Sequence, residues 1–214
     1  MARFSRVCGG VLAAVGVLAL TGCLRSEVTH TVYVGPSGVI WSAMEKDVRS
    51  DENNEFKRSA EEHDYVMAGR AGQHAIAAAF RRLGASSVTT NWLRRERPYT
   101  VVTEARFADL RQLAAAMLRD AGLVGDASLV RDGCRMTFTV RVNVESGNSA
   151  EHDTAVDALL ADPDAYRVVL TQGRFVSADG FVISADGAVA TLDEKKSPVD
   201  GVVTMTITWT DGGC

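Results

Sequence analysis

The sequence predicts an α+β fold: a mixed, mostly antiparallel sheet with about three helices packed on one face. Three observations carry this. Met136, Phe138, Val140, Val142 and Val144 alternate with Arg135, Thr137, Thr139, Arg141, Asn143 and Glu145, and Val203, Met205, Ile207 and Trp209 alternate with Val202, Thr204, Thr206 and Thr208. A period of two belongs to strands with one wet face, the pattern of an antiparallel sheet covered on one side. By contrast, Leu110, Leu113, Ala114, Met117, Leu118 and Ala121 recur at helical spacing. Finally, strand pairs and helical stretches follow one another along the chain, which is the α+β order.

Each element has its local reason. Val28 to Val34 and Val39 to Glu45 are rich in β-branched residues and flank Gly35-Pro36-Ser37-Gly38, so they read as a hairpin. From about Glu55 to Leu83 the pattern is helical, but its apolar face changes. Phe56, Ala60 and Met67 lie on one stripe and Val66, Ile76, Phe80 and Leu83 on another, with Gly69 and Gly72 between them. A kink there, or two packing partners along one helix, is expected, and Gly84 is the expected C-terminal cap. Val88 to Arg94 and Tyr99 to Glu104 form a second hairpin with Pro98 near its turn. Asp109 and Gln112 fit a capping box ahead of the clearest helix, which Gly122 ends. A short helix from about Ala150 to Ala161 stops at Asp162-Pro163, and a strand covers Tyr166 to Leu170. Ser177-Ala178-Asp179-Gly180 and Ser184-Ala185-Asp186-Gly187 bracket Phe181-Val182-Ile183, so a meander is expected.

Composition bounds the function. With 214 residues, 46% hydrophobic and 23% charged, the chain is that of a folded globular protein, which excludes collagenous, low-complexity and disordered classes. A formal charge of −4 argues against a nucleic-acid partner.

The first 23 residues read as an address. Arg3 and Arg6 precede an apolar run from Val7 to Leu20, and small residues close it at Thr21-Gly22-Cys23. As a helix that run is roughly 21 Å long, too short for the roughly 30 Å hydrocarbon core. Leu20-Thr21-Gly22-Cys23 resembles the lipobox of bacterial lipoproteins. The resemblance covers the targeting segment alone and implies cleavage before Cys23 and a diacylglyceryl thioether on it. Residues 1–22 are then a removed signal peptide, 23–27 a lipidated N-terminus and short tether, and 28–214 a single α+β domain. The lipid is what holds the chain to its membrane, since loss of Arg3 and Arg6 makes an already acidic protein two units more negative. Leu24 follows the Cys, which favours the periplasmic face of an outer membrane if the organism follows the enteric sorting rule.

Cys8 leaves with the signal and Cys23 takes lipid, so Cys134 and Cys214 remain. An exported chain with two such thiols is expected to join them. If the two alternating strands pair antiparallel, Cys134 at the start of one lies beside Cys214 at the end of the other. The four histidines, His30, His63, His74 and His152, show no metal-ligand spacing, and no metal or other cofactor is expected. Glu61-Glu62-His63-Asp64 is the one acidic cluster with an imidazole, and an acidic solvated helix face is its plainer reading. No catalytic residue is assigned. Arg94, Arg95 and Arg97, at the tip of the second hairpin, are the candidate contact to headgroups or a partner, because guanidinium forks suit phosphate. The functional expectation is a membrane-anchored envelope lipoprotein that binds an envelope protein or small ligand without catalysis. The alternative is an envelope hydrolase whose site is assembled only in three dimensions.

Overall fold

The structure, a computed structural model, describes residues 24–120, 122–143, 166–193 and 197–212. The signal segment, Cys23, the helix expected at 150–161 and Cys214 lie outside the described residues. The elements in order are β1 (Leu24–Gly35), β2 (Gly38–Ser50), α1 (Glu55–Arg70), α2 (Ala75–Arg82), β3 (Ser87–Arg94), β4 (Tyr99–Phe107), α3 (Leu110–Asp120), β5 (Val124–Asp132), β6 (Arg135–Asn143), β7 (Tyr166–Leu170), β8 (Arg174–Asp179), β9 (Phe181–Ile183), β10 (Val189–Leu192) and β11 (Val202–Thr210).

The α+β class holds, with corrections. The strands form two sheets, one ordered β3-β4-β2-β1-β7-β10-β9 and one ordered β5-β6-β11-β8. The long helix expected from 55 to 83 is bent into α1 and α2, and α3 is the other, shorter helix among the described residues. The helices do not share one sheet face. Gly69 of α1 touches Trp92 of the first sheet, whereas α3 packs against β5 and β6 of the second. The bend falls after Gly69, at Gly72. There Gly72 N–H donates to the Gly69 carbonyl at 3.2 Å and Gln73 N–H to the Ala68 carbonyl at 2.8 Å, with Gly72 at φ +67°. This pair of bonds is a Schellman closure, which needs the left-handed backbone that glycine adopts without strain. The same pattern closes α2 at Gly84 and α3 at Gly122, the two caps read from the sequence. Asp109 also caps α3 as expected, accepting Gln112 N–H at 2.7 Å.

Contacts group the described chain into two compact units, each discontinuous in sequence: residues 24–29, 43–79 and 89–104 in the first, the remainder in the second. The first unit buries Ala43, Val48, Ala77, Val101 and Thr103, with Thr90 and Thr103 hydroxyls 3.2 Å apart. β1 begins at Leu24, so residues assigned to a tether are already strand.

In the second unit β1 pairs parallel with β7 from His30↔Tyr166 to Val34↔Leu170, and β10 pairs antiparallel with both β7 and β9. The two alternating strands pair antiparallel as expected, from Val202↔Asn143 to Thr210↔Arg135. The faces expected to be wet are largely covered: Thr137, Thr139 and Thr206 are half-buried and Thr208 is buried, and they meet as hydroxyl pairs, Thr137 with Thr208 at 3.3 Å and Thr139 with Thr206 at 3.2 Å. Their other faces bury Phe138, Val140, Ile207 and Trp209, with Phe175 edge-on to Trp209. The expected meander is divided: β8 pairs with β11 in the second sheet, and β9 and β10 pair in the first. The chain changes sheets at Gly180, whose φ of +80° makes the corner. The second Asp-Gly turn does join a hairpin. Asp186 accepts from the Ser184 hydroxyl at 2.6 Å and from Ala188 N–H at 3.0 Å, and these bonds hold its carboxyl below the usual range.

Candidate functional site

Two places gather chemically capable groups, one in each unit. In the first unit Glu45 of β2, Tyr65 of α1 and His74 ahead of α2 meet. Tyr65 Oη donates to Glu45 Oε2 at 3.2 Å, and His74 Nδ1 lies 3.2 Å from the same oxygen. The Tyr65 ring stands edge-on to His74 at 4.5 Å and to Trp92 at 5.9 Å, and Trp92 is edge-on to Tyr99. His74 is 3% exposed; its Nδ1 lacks hydrogen-bond alignment and its Nε2 has no partner among the described residues. Burial governs the titration: it pushes the Glu45 carboxyl up to about 7 and the His74 imidazole down, and it raises the Tyr65 phenol with help from Glu45. Burial thus favours the protonated carboxyl at Glu45 and the neutral imidazole at His74, because neither charge is solvated there. A perturbed carboxyl beside an imidazole has the ingredients of acid–base chemistry, but a histidine this enclosed offers a substrate no approach.

The sequence reading missed this cluster, although a signal existed. Val39, Trp41, Ala43 and Glu45 occupy every second position of β2, which puts a carboxylate on the face that buries Val39, Trp41 and Ala43. His74, Ala77 and Phe80 are spaced by three, and all are buried.

The acidic stretch on α1 separates by role. His63 and Asp64 are exposed. Glu62 is buried, accepting Ser50 N–H at 3.0 Å and facing Arg97 at 2.9 Å, while Glu61 takes the Ser50 hydroxyl. The expected solvated face is thus half a bracing network. The arginine cluster changes with it. Arg97 is paired with Glu62, an Arg94 nitrogen lies 3.4 Å from the Arg97 carbonyl, and Arg95 is exposed.

In the second unit a cleft of about 220 Å³ opens between the β1–β2 turn, the start of α3 and the second sheet. Its apolar lining comes from Val34, Val39, Leu129, Met136 and Trp209, and Arg131 paired with Asp211 at 3.2 Å gives it a charged edge. Cys134 occupies the β5–β6 turn, and Asp211 N–H donates to its carbonyl at 2.8 Å. Among the described residues no group of three or more histidines, cysteines or carboxylates is placed to hold a metal ion, and no helix is long and apolar enough to cross a membrane.

No protein-family model matches the chain, and no curated protein matches it. Among solved structures, the folded domain of LppM from Mycobacterium tuberculosis, determined by NMR, is similar at 17% identity over 87% of this chain and 90% of that one, with a TM-score of 0.37. That likeness assigns no family. The two sites stand on their own geometry.

Proposed function

We propose that this protein is a membrane-anchored envelope lipoprotein that works as a non-catalytic interaction module; if its cell is Gram-negative, Leu24 after the Cys favours the periplasmic face of the outer membrane. The anchor rests on the resemblance of Leu20-Thr21-Gly22-Cys23 to a lipobox, and the interaction role on the cleft of the second unit. At about 220 Å³ the cleft is smaller than the roughly 300–1,000 Å³ of small-molecule pockets. It accommodates one apolar side chain or ring of a partner, with Trp209 and Met136 beneath it and Arg131 and Asp211 at its edge. An apolar anchor in a pocket with a polar rim is the usual centre of a protein–protein contact.

Two measurements test the reading. Intact mass of membrane-extracted protein is expected to show cleavage before Cys23 with added acyl chains, and Cys23→Ser is expected to leave the membrane fraction. Anilinonaphthalene sulfonate is expected to brighten on the folded protein and to lose that signal in Met136→Gln. An unacylated wild-type chain overturns the anchor, and dye binding unchanged by Met136→Gln overturns the cleft as the apolar site.

A further inference from the structure

We infer that β3 is a dimerisation edge: two copies of this chain pair their β3 strands antiparallel about a two-fold axis at Thr90 and so continue the first sheet from one molecule into the other. This edge is independent of the lipid anchor and of the cleft proposed above.

β3 ends the first sheet, with β4 as its one neighbour among the described residues. An end strand presents a row of unpaired N–H and C=O groups to any strand that can reach it, and folded proteins blunt such edges with charge, proline or short length. The other three sheet ends are blunted in this way. β5 carries Asp126, Arg131 and Asp132, β8 carries Arg174 and Asp179, and β9 is three residues long. β3 has no such guard. The run from Ser87 to Leu93 contains neither charge nor proline, and Arg94 comes only at its end. The strand is also held in place for pairing. The Thr90 hydroxyl lies 3.2 Å from that of Thr103 on β4, and Trp92 stands against Gly69 and edge-on to Tyr65 and Tyr99.

The same run is complementary to itself. Val88, Thr90 and Trp92 are half-buried, and the residues between them are exposed. Because side chains alternate faces along a strand, an axis normal to the sheet sets residues of like face opposite one another. With the axis at Thr90, Trp92 meets Val88 of the second copy on the half-buried face, an aromatic ring beside a β-branched side chain. Thr90 meets its own counterpart, which continues the Thr103–Thr90 hydroxyl row into the second molecule. On the exposed face Thr89 meets Asn91. Cross-strand pairs of these kinds are favourable, and no charge faces a like charge. About six to eight main-chain hydrogen bonds close between the two strands. A second copy is the partner that satisfies this register by symmetry, and the pair is closed because each β3 is then covered. The interface is one strand wide on each side, which makes the dimer reversible and not obligate.

The test uses the full chain in detergent, with the buffer matched to the detergent's density, and follows its mass by sedimentation equilibrium from about 1 to 100 µM. Two variants change the same two exposed positions. Thr89→Lys/Asn91→Lys sets lysine opposite lysine across the axis at Thr90, whereas Thr89→Lys/Asn91→Glu sets lysine opposite glutamate. The expected result is a monomer–dimer equilibrium in the wild type, one at least about tenfold weaker in the first variant, and one tighter than wild type in the second. A gain in affinity in the second variant cannot come from damage to the fold. A wild type that stays monomeric over the whole range overturns the inference. A dimer that the two lysines leave intact overturns β3 as its interface, and a dimer lost equally in both variants overturns the pairing about Thr90.

Discussion

Gly69 of α1 lies against the indole of Trp92 on β3: a Cβ added at Gly69 would sit 2.6 Å from Trp92 Cζ2. The glycine is buried inside a regular helix, where it costs up to about 1 kcal/mol relative to alanine. Close approach of helix to strand is what it supplies. Gly69→Ala is therefore expected to destabilise the protein by about 1–2 kcal/mol despite the gain in helix propensity, because the indole must shift out of its edge-on contacts with Tyr65 and Tyr99. Urea unfolding measures it. A Gly69→Ala/Trp92→Leu double variant should lose less than the sum of its single variants, the signature of a direct contact.

That pair also marks how far the sequence could be read. Gly69 and Gly72 look alike in sequence, where the change of apolar face across them predicts a kink or two packing partners without saying which glycine bends the chain. Only Gly72 makes one, because what distinguishes Gly69 is a partner about 20 residues away. Strands with strict alternation, such as β6 and β11, and helix ends with local signals, such as Asp109 and Gly122, were legible because the cause is local. β5 was missed: Val124-Gly125-Asp126-Ala127-Ser128-Leu129-Val130-Arg131-Asp132 is an edge strand, mostly exposed, and lacks the clean alternation that burial imposes. The Glu45–His74 cluster and the cleft are assembled from separate segments, so no local pattern announces them.

Glu45→Gln is expected to stabilise the protein more as pH rises. The folded-state value of about 7 lies above the unfolded one of 4.5, so the folded state keeps a proton that the unfolded state has lost. Wild-type stability therefore falls from pH 4.5 to 7, by about 3 kcal/mol. Gln keeps an acceptor for Tyr65 and carries no charge to desolvate. The difference in urea midpoint between variant and wild type should grow between pH 5 and pH 8; a constant difference would show that Glu45 does not titrate in this window.

His30 works in the opposite direction. Trp41 Nε1–H donates to His30 Nδ1 at 3.1 Å, and the imidazole stacks on Tyr166 at 4.5 Å, so the neutral ring is the one that fits. Burial lowers its pKa from 6.5 to about 4. The unfolded state then binds the extra proton first, so this contribution is full above pH 6.5 and is lost as pH falls toward 4, about 3 kcal/mol in all. His30→Asn retains an acceptor for Trp41 and should lower stability at pH 7 while flattening the acid slope. An unchanged slope between pH 6.5 and 4 would assign the acid sensitivity to other groups.

The register of β6 and β11 carries the last prediction, a bond between Cys134 and Cys214. Thr210 stands opposite Arg135, and Asp211 N–H reaches the Cys134 carbonyl. Cys214 follows Asp211 by three residues, at most about 10 Å of chain, and disulfide formation needs the two Cα atoms within about 7 Å. In an oxidising compartment that proximity favours the bond. It would close a loop of about 80 residues and add about 4 kcal/mol in the chain-entropy model, most of it by restricting the unfolded chain. Intact mass should rise by two protons on reduction, and the urea midpoint should fall by the same amount in reduced wild type and in oxidised Cys134→Ser. Equal midpoints with and without reductant, together with two titratable thiols in the oxidised protein, would show that β6 and β11 are held by their hydrogen bonds and core alone.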